Sequence, residues 1–391
     1  MKFKDFCTFK EGYVNPSQKI ASYFDGPIKW LRATDLNNSY VYNTSRTLTE
    51  EGFKSAGKSS ILFKPDTIAI SKSGTIGRIG ILKDYMCGNR AIINIEVNQE
   101  KMNLRYVFYW LLNQQNYIQN LAVGSVQKNL YISVLEQLEI ADRPLREQKA
   151  IADILSALDD KIELNNQINK NLEEMAQAIF KSWFVDFEPF QDGEFVESEL
   201  GLIPKGWEVG RIGDVLELAY GKALKKENRV EGPYPVYGSN GIVGFHNEFL
   251  VKGPGIVVGR KGNPGTVRYV TENFYPIDTT FYVIPNDPLL ITYLYFSLQL
   301  QNLESLSSDS AVPGLNRNIA YKNLILIPPN NIIERFNEFI DSLFNLKHTN
   351  EKQINTLSNL RDTLLPKLMS GEIRVPLENE GRHQDEQLQR V

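Results

Sequence analysis

Ile70-Ser71-Lys72-Ser73-Gly74-Thr75-Ile76-Gly77 returns as Val258-Gly259-Arg260-Lys261-Gly262-Asn263-Pro264-Gly265, and this echo decides how the chain is read. Each stretch carries a β-like apolar run into a basic, Gly-rich turn. The features around it repeat in the same order. Ala122-Val123-Gly124-Ser125-Val126-Gln127-Lys128-Asn129-Leu130 is matched by Ala311-Val312-Pro313-Gly314-Leu315-Asn316-Arg317-Asn318-Ile319. A helical stretch around Gln167-Ile168-Asn169 is matched around Gln353-Ile354-Asn355. Two diverged copies of one unit suit a chain that touches a long ligand at two places.

The 391 residues are enough for two or three domains. With 42% hydrophobic and 23% charged residues the composition is that of a folded protein. Met1-Lys2-Phe3-Lys4-Asp5 opens no apolar leader and no apolar run approaches a membrane span, so a cytoplasmic, prokaryotic, membrane-free protein is expected. The two cysteines, Cys7 and Cys87, are expected as buried free thiols. A net charge of -4 by itself argues against nucleic acid. Its distribution argues otherwise: residues 1–145 carry a net +5, residues 207–330 balance, and residues 185–206 carry -5. The acidity lies mainly outside the repeated regions, which leaves them free to present basic faces to phosphate.

Short β-like runs at 61–63, 67–70, 76–82 and 91–95, with a helical patch at 104–119, give the first copy an α+β character. Runs at 256–258, 266–270 and 280–284, followed by a helix near 291–303, give the second copy the same. Between Arg146 and Phe184 there is neither Pro nor Gly. Ile151, Leu155, Leu158, Ile162, Asn165, Asn169, Leu172, Ala176, Ile179 and Trp183 recur at alternating spacings of four and three, a coiled-coil seam with polar layers in its middle. At 1.5 Å per residue this rod is roughly 58 Å long. A second rod, whose seam includes Phe336, Ile340, Leu343, Lys347, Asn350, Ile354 and Leu357, is expected to kink at Pro366. Antiparallel pairing would bring the polar layers, Asn165/Asn169 and Lys347/Asn350, close together; a single helix packed on a globular domain is the other reading. The expected limits are domain 1 at 1–145, central helix 146–184, linker 185–206, domain 2 at 207–330, distal helix 331–371 and polar tail 372–391.

Gly52-Phe53-Lys54-Ser55-Ala56-Gly57-Lys58-Ser59 fits the spacing of a nucleotide-binding phosphate loop. That chemistry requires a buried strand before the loop and a helix after it. Here the preceding residues are polar, and Ser60-Ile61-Leu62-Phe63-Lys64-Pro65 reads as a strand. His246, His348 and His383 form no ligand cluster, and no nucleophile or methyltransferase motif stands out. The expectation is therefore no catalytic residue, no metal site and no cofactor in this chain. The repeated blocks hold more chemistry. Lys72, Ser73, Thr75 and Arg78, with Arg260, Lys261, Asn263 and Thr266, lie in tight turns where glycine lets backbone approach a phosphate and the cations supply salt-sensitive affinity. The bland alternative is a β-turn with solvated lysines. Lys128, Asn129, Asn316 and Arg317 follow the same logic, or act as turn residues. Tyr237, Ser239 and Asn240 lie in a loop that approaches DNA or simply closes a hairpin, and the first copy diverges there as Trp30-Leu31-Arg32-Ala33-Thr34-Asp35.

In whole-chain organisation the sequence resembles the specificity subunits of type I restriction–modification enzymes. The blocks that carry the likeness are Leu145-Arg146-Glu147-Gln148-Lys149-Ala150-Ile151, Ile179-Phe180-Lys181-Ser182-Trp183-Phe184-Val185-Asp186-Phe187, Gly201-Leu202-Ile203-Pro204-Lys205-Gly206-Trp207-Glu208, Tyr237-Gly238-Ser239-Asn240-Gly241 and Gly259-Arg260-Lys261-Gly262. The resemblance implies two similar target recognition domains separated by two long antiparallel helices that form a coiled coil. Each domain would read half of a bipartite double-stranded DNA target, and helix length would set the gap, placing the half-sites about one to one and a half helical turns apart. The helices would dock two methyltransferase subunits, making an adenine methylase, and restriction (translocase) subunits would complete the nuclease. S-adenosylmethionine, ATP and Mg belong on those partners. Phe180, Trp183, Phe184 and Leu365, at the rod ends, are expected either to face a partner or to pack inside the chain. Three other readings stay open: a modification-only or type II-like system, a scaffold that bridges proteins without DNA, and a stand-alone ATPase.

Overall fold

The computed structural model describes residues 1–124, 128–306 and 314–376. They form mixed α+β architecture in two compact units, one of Met1–Leu164 with Gln353–Val391, the other of Asn165–Lys352.

In the first unit the strands are β1 (Cys7–Glu11), β2 (Phe24–Leu31), β3 (Ser39–Val41), β4 (Thr47–Leu48), β5 (Leu62–Phe63), β6 (Ile68–Ser71), β7 (Ile79–Leu82), β8 (Met86–Gly88) and β9 (Ile92–Val97). They make a five-stranded sheet, β1-β9-β6-β7-β3, and a four-stranded sheet, β4-β2-β8-β5. The central strands are apolar on both faces, and period-two alternation sorts their side chains. Ile68, Ile70, Ile79, Ile81, Ile93 and Ile95 enter one core with the helix α2 (Leu104–Asn113). Ala69, Leu82 and Ile92 face the other way, into a core with Leu31, Phe63 and Met86 from the second sheet. Short helices α1 (Glu50–Lys54), α3 (Gln115–Asn120) and α4 (Ile132–Leu135) complete this unit's globular part.

The second unit contains the hairpin β10 (Phe195–Ser198) and β11 (Gly201–Pro204), then β12 (Glu208–Arg211), α6 (Ile212–Val215), β13 (Leu216–Tyr220), β14 (Tyr234–Gly238), β15 (Gly241–His246), β16 (Gly255–Gly259), β17 (Val267–Val270), β18 (Tyr275–Pro276), β19 (Thr280–Pro285), α7 (Ile291–Leu300), α8 (Arg317–Ala320) and β20 (Leu324–Ile327). Its main sheet, β13-β19-β16-β17, repeats β1-β9-β6-β7, and β14 runs parallel to β18 as β2 does to β8. Ile256 and Val258 face one core, Val257 the other. Even the entry caps agree: Lys2 N–H donates to Asp5 Oδ2 at 2.9 Å, and Arg211 N–H to Asp214 Oδ2 at 2.8 Å.

Two long helices follow the two copies, α5 (Leu145–Phe184) and α9 (Asn330–Ser370). Pro144 precedes the first, where a missing N–H costs nothing, and the second continues through Pro366 to Ser370. In the first unit Ile151, Ala152 and Leu155 share a core with Leu365, Leu368 and Met369. In the second, Ala176, Phe180 and Phe184 share one with Ile333, Phe336 and Ile340. The polar layers meet within that unit, where Asn350 Nδ2 donates to Asn169 Oδ1 at 2.9 Å and Lys347 lies 3.4 Å from Glu173. No helix among the described residues is long and apolar enough to cross a membrane.

The phosphate-loop lookalike folds in the reverse order to a phosphate loop. Gly52 sits inside α1 with its N–H bonded to the capping Thr49 Oγ1 (3.2 Å), and a 3-10 turn and then β5 follow. A side chain at Gly52 would overlap the Tyr23 backbone, so close packing accounts for this glycine.

Candidate nucleic-acid interface

In each unit the Gly-rich basic stretch is a turn between two strands, β6–β7 and β16–β17, of which all but β17 are buried, and its backbone bonding is the same in both. Ser71 N–H bonds Arg78 O (2.8 Å) and Gly77 N–H bonds Ser71 O (2.9 Å); Gly259 N–H bonds Thr266 O (2.7 Å) and Gly265 N–H bonds Gly259 O (2.9 Å). Lys72 N–H bonds Ala91 O (2.7 Å), and its carbonyl accepts from Leu130 N–H (2.9 Å). Arg260 repeats both bonds, to Thr279 O and from Leu315 N–H, each at 2.9 Å. Gly74 and Gly77, like Gly262 and Gly265, hold φ between +74° and +85°, a region that side chains oppose. The turns are thus fixed loops on rigid strands.

Two neighbouring loops complete each cluster. In the first unit, Asn89 N–H bonds Leu31 O at 3.0 Å; in the second, Ile277 N–H bonds Tyr237 O at 2.9 Å. Leu31 therefore corresponds to Tyr237, and Arg32-Ala33-Thr34-Asp35 stands where the second copy has Gly238-Ser239-Asn240-Gly241. Thr75 Oγ1 reaches Ala33 O (3.4 Å) and Thr266 Oγ1 reaches Ser239 O (3.1 Å), tying turn to loop in both units.

The side chains differ in charge. Lys72 Nζ is paired with Glu11 Oε2 at 2.8 Å, and both are mostly buried. Ser73 is half-buried, while Thr75 and Arg78 are exposed. Arg260 meets no carboxylate among the described residues. It donates to Asp278 O (2.9 Å) and lies 4.8 Å from the Tyr220 ring centre. Lys261 and Asn263 are exposed and Thr266 is half-buried. Asn240 is exposed; Ser239 is buried, and Tyr237 packs edge-on against Phe274 at 5.8 Å. Burial pushes the Tyr237 phenol up to about 12, helped by Glu272 and Glu351.

Two expectations need correction. The match between Lys128-Asn129 and Arg317-Asn318 slips out of register, because the backbone bonds equate Leu130 with Leu315 and not with Ile319. Lys128 is exposed, and Asn129 bridges to Val123; Ser125, Val126 and Gln127 lie outside the described residues, as do Ala311, Val312 and Pro313. Asn316 caps α8 by accepting from Asn318 N–H at 3.0 Å, and Arg317 donates to Leu218 O (2.9 Å) while lying 4.5 Å from the Tyr220 ring centre. The other correction concerns the aromatic rod ends. Phe180 and Phe184 are buried among Tyr293, Phe296 and Phe336, and Leu365 is buried in the first unit's core. Trp183 lies at the rim of its core, beside Phe190 and Phe336. These side chains satisfy one another inside the chain, so the packing alternative holds for the buried three.

Tyr220, 48% exposed, escaped the sequence reading. Its only sequence signal is an aromatic at the end of a strand. Its importance comes from two arginines distant in sequence that meet on its ring.

A duplicated α+β unit that presents polar and cationic turns from rigid strands is a recognition scaffold. A family model described as the type I restriction modification DNA specificity domain matches residues 1–174 and 204–359. The MjaIX specificity subunit of a type I restriction enzyme from Methanocaldococcus jannaschii is 31% identical, over 96% of this chain and 93% of that protein. The HindI specificity subunit of Haemophilus influenzae is 26% identical over 75% and 82% of the two chains. The type I restriction–modification S subunit from M. genitalium has a crystal structure with the same fold (TM-score 0.59, 21% identity, 94% and 95% coverage). The chain belongs to the type I restriction–modification DNA specificity family, and its role is that of a non-catalytic DNA-specificity subunit.

Proposed function

We propose that each unit reads one half of a bipartite double-stranded DNA target, and that α5 and α9 pair as an antiparallel coiled coil that sets the gap between the halves. The observation that carries this reading is the duplication: two loop clusters share one backbone bonding pattern yet differ in nearly every exposed side chain. A shared scaffold keeps the mode of approach, and different side chains read different sequences. The proposed limits are 1–145 and 207–330 for the readers, with the helices at 146–184 and 331–371, the linker at 185–206 and the tail at 372–391. Ser73, Thr75, Arg78, Lys128, Lys261, Asn263 and Asn240 are the proposed contact residues of the loops. Two methyltransferase subunits dock on the helices, and restriction subunits join in the full complex. S-adenosylmethionine, ATP and Mg act on those partners. Apolar side chains exposed on the helices, Leu164 and Met175 on α5 and Phe339, Leu346 and Leu360 on α9, support such docking.

The test is a genome-wide map of methylated adenines in cells expressing this chain with its partners. A single interrupted motif of two unlike halves is expected. A continuous motif, or no methylation that depends on this chain, overturns the reading.

A further inference from the structure

The exposed ring of Tyr220, at the end of β13, carries two arginines. The guanidinium carbons of Arg260 and Arg317 lie 4.8 Å and 4.5 Å from its centre. Phe281, buried beneath at 5.0 Å, holds the ring in place. Each arginine is also pinned by one backbone bond, to Asp278 O and to Leu218 O, both at 2.9 Å. Neither makes an ion pair with any described residue. Two cations are thus held within about 10 Å of each other, the Debye length at 0.1 M salt, where their repulsion is not fully screened.

The first unit treats the same place differently. Glu11 ends β1 as Tyr220 ends β13, and it neutralises Lys72, the counterpart of Arg260. The counterpart of Arg317, the first residue of its short helix, is Ile132. We infer that Tyr220, Arg260 and Arg317 form a clamp for a phosphate of the DNA backbone, present in the second unit and missing from the first. A base edge would occupy one guanidinium fork and leave the second charge unbalanced. A phosphate offers both negative charge and several acceptor oxygens, and guanidinium forks match it. The clamp fixes the second unit on the duplex without reading sequence. It gives the second unit one salt-sensitive phosphate contact that the first unit lacks.

The inference rests on the reading that the second unit binds DNA. The test uses the chain assembled with its methyltransferase partners and a duplex bearing the mapped motif. Arg317→Gln should lower the slope of log affinity against log salt by about 0.9, one phosphate contact, with the methylated motif unchanged. Arg317→Lys should keep the slope. A neutral methylphosphonate scanned through the second unit's half-site should weaken wild-type binding at the clamped phosphate, and the loss at that position should be smaller in Arg317→Gln, which keeps Arg260. The wild-type arm of the scan needs no variant, so it can overturn the clamp even where a substitution unfolds the unit. If no single phosphonate weakens wild-type binding, or if Arg317→Gln relaxes one base of the motif, the clamp is wrong while DNA recognition stands. Failure of the wild-type complex to bind the duplex would sink the underlying reading instead.

Discussion

Lys72 and Arg260 have the same backbone partners and opposite circumstances. Glu11 holds the lysine at 2.8 Å, whereas the arginine rests on an uncharged ring. The turn itself was legible in the sequence, since glycine spacing and basic residues mark it in both copies. The partner of each cation was not, because Glu11 and Tyr220 sit far away along the chain and reach the turn only through sheet order. Tyr237 shows the same limit. As part of a Tyr-Gly-Ser-Asn loop it reads as a contact residue, yet its ring packs on Phe274 and its phenol is pushed up to about 12. The raised value has a consequence for alkaline stability. The unfolded phenol ionises near 10 while the folded one keeps its proton, so the stabilisation is complete below pH 10 and declines between pH 10 and about 12. Tyr237→Phe should flatten part of that decline in urea titrations. Parallel losses in wild type and variant would contradict the assignment.

At the scale of elements, strands and helices were visible because periodicity is a local property. The short apolar runs of β6 and β16 and the Gly-free stretch of α5 both survive divergence. The register between copies was less visible. Loops of unequal length separate the elements, so a short polar tag can match at the wrong offset, as Lys128-Asn129 did. The cores of the two copies also differ where pattern alone predicts likeness. In the first unit Asp159 of α5 accepts from Tyr109 of α2 at 2.6 Å and from Arg361 of α9 at 2.7 Å. The positions equally far along α9 and α7 are Phe344 and Phe296, in ring contact at 5.9 Å. An ionic joint in one copy is therefore an aromatic joint in the other. Removing one partner of a buried pair strands its charge. Arg361→Met is expected to cost about 3 kcal/mol of unfolding free energy, and adding Asp159→Leu should recover part of it, the Tyr109 hydroxyl losing its acceptor. A double variant as unstable as the single one would show that the joint is not electrostatic.

For the whole molecule the prediction concerns length. If α5 and α9 set the gap, deleting one heptad from each removes about 10 Å of helix, equal to at most about three base-pair steps. The methylated motif should keep both halves and lose spacing. An unchanged gap in the methylome of the deletion strain would refute a ruler. The existence of two similar units was the most legible fact in this sequence. The words they read are not legible, because contacts depend on side chains whose placement only the assembled sheets determine.

One detail of the turns bears on how such units can be exchanged. In the first copy the hydroxyl inside the turn belongs to Ser71, which donates to Thr75 O and accepts from Arg78 N–H. In the second it belongs to Thr266, which lies 3.1 Å from Asn263 O, and Gly259 stands opposite, where a side chain would overlap the Asn263 carbonyl first and that hydroxyl second. The hydroxyl has crossed the hairpin, and in doing so it decides whether position 78 or its counterpart is free to carry an arginine outward. A graft that moves one strand of the turn without the other would deliver two hydroxyls to one space, or none. A graft that carries both strands of the hairpin together keeps one hydroxyl in that space, as each copy has it.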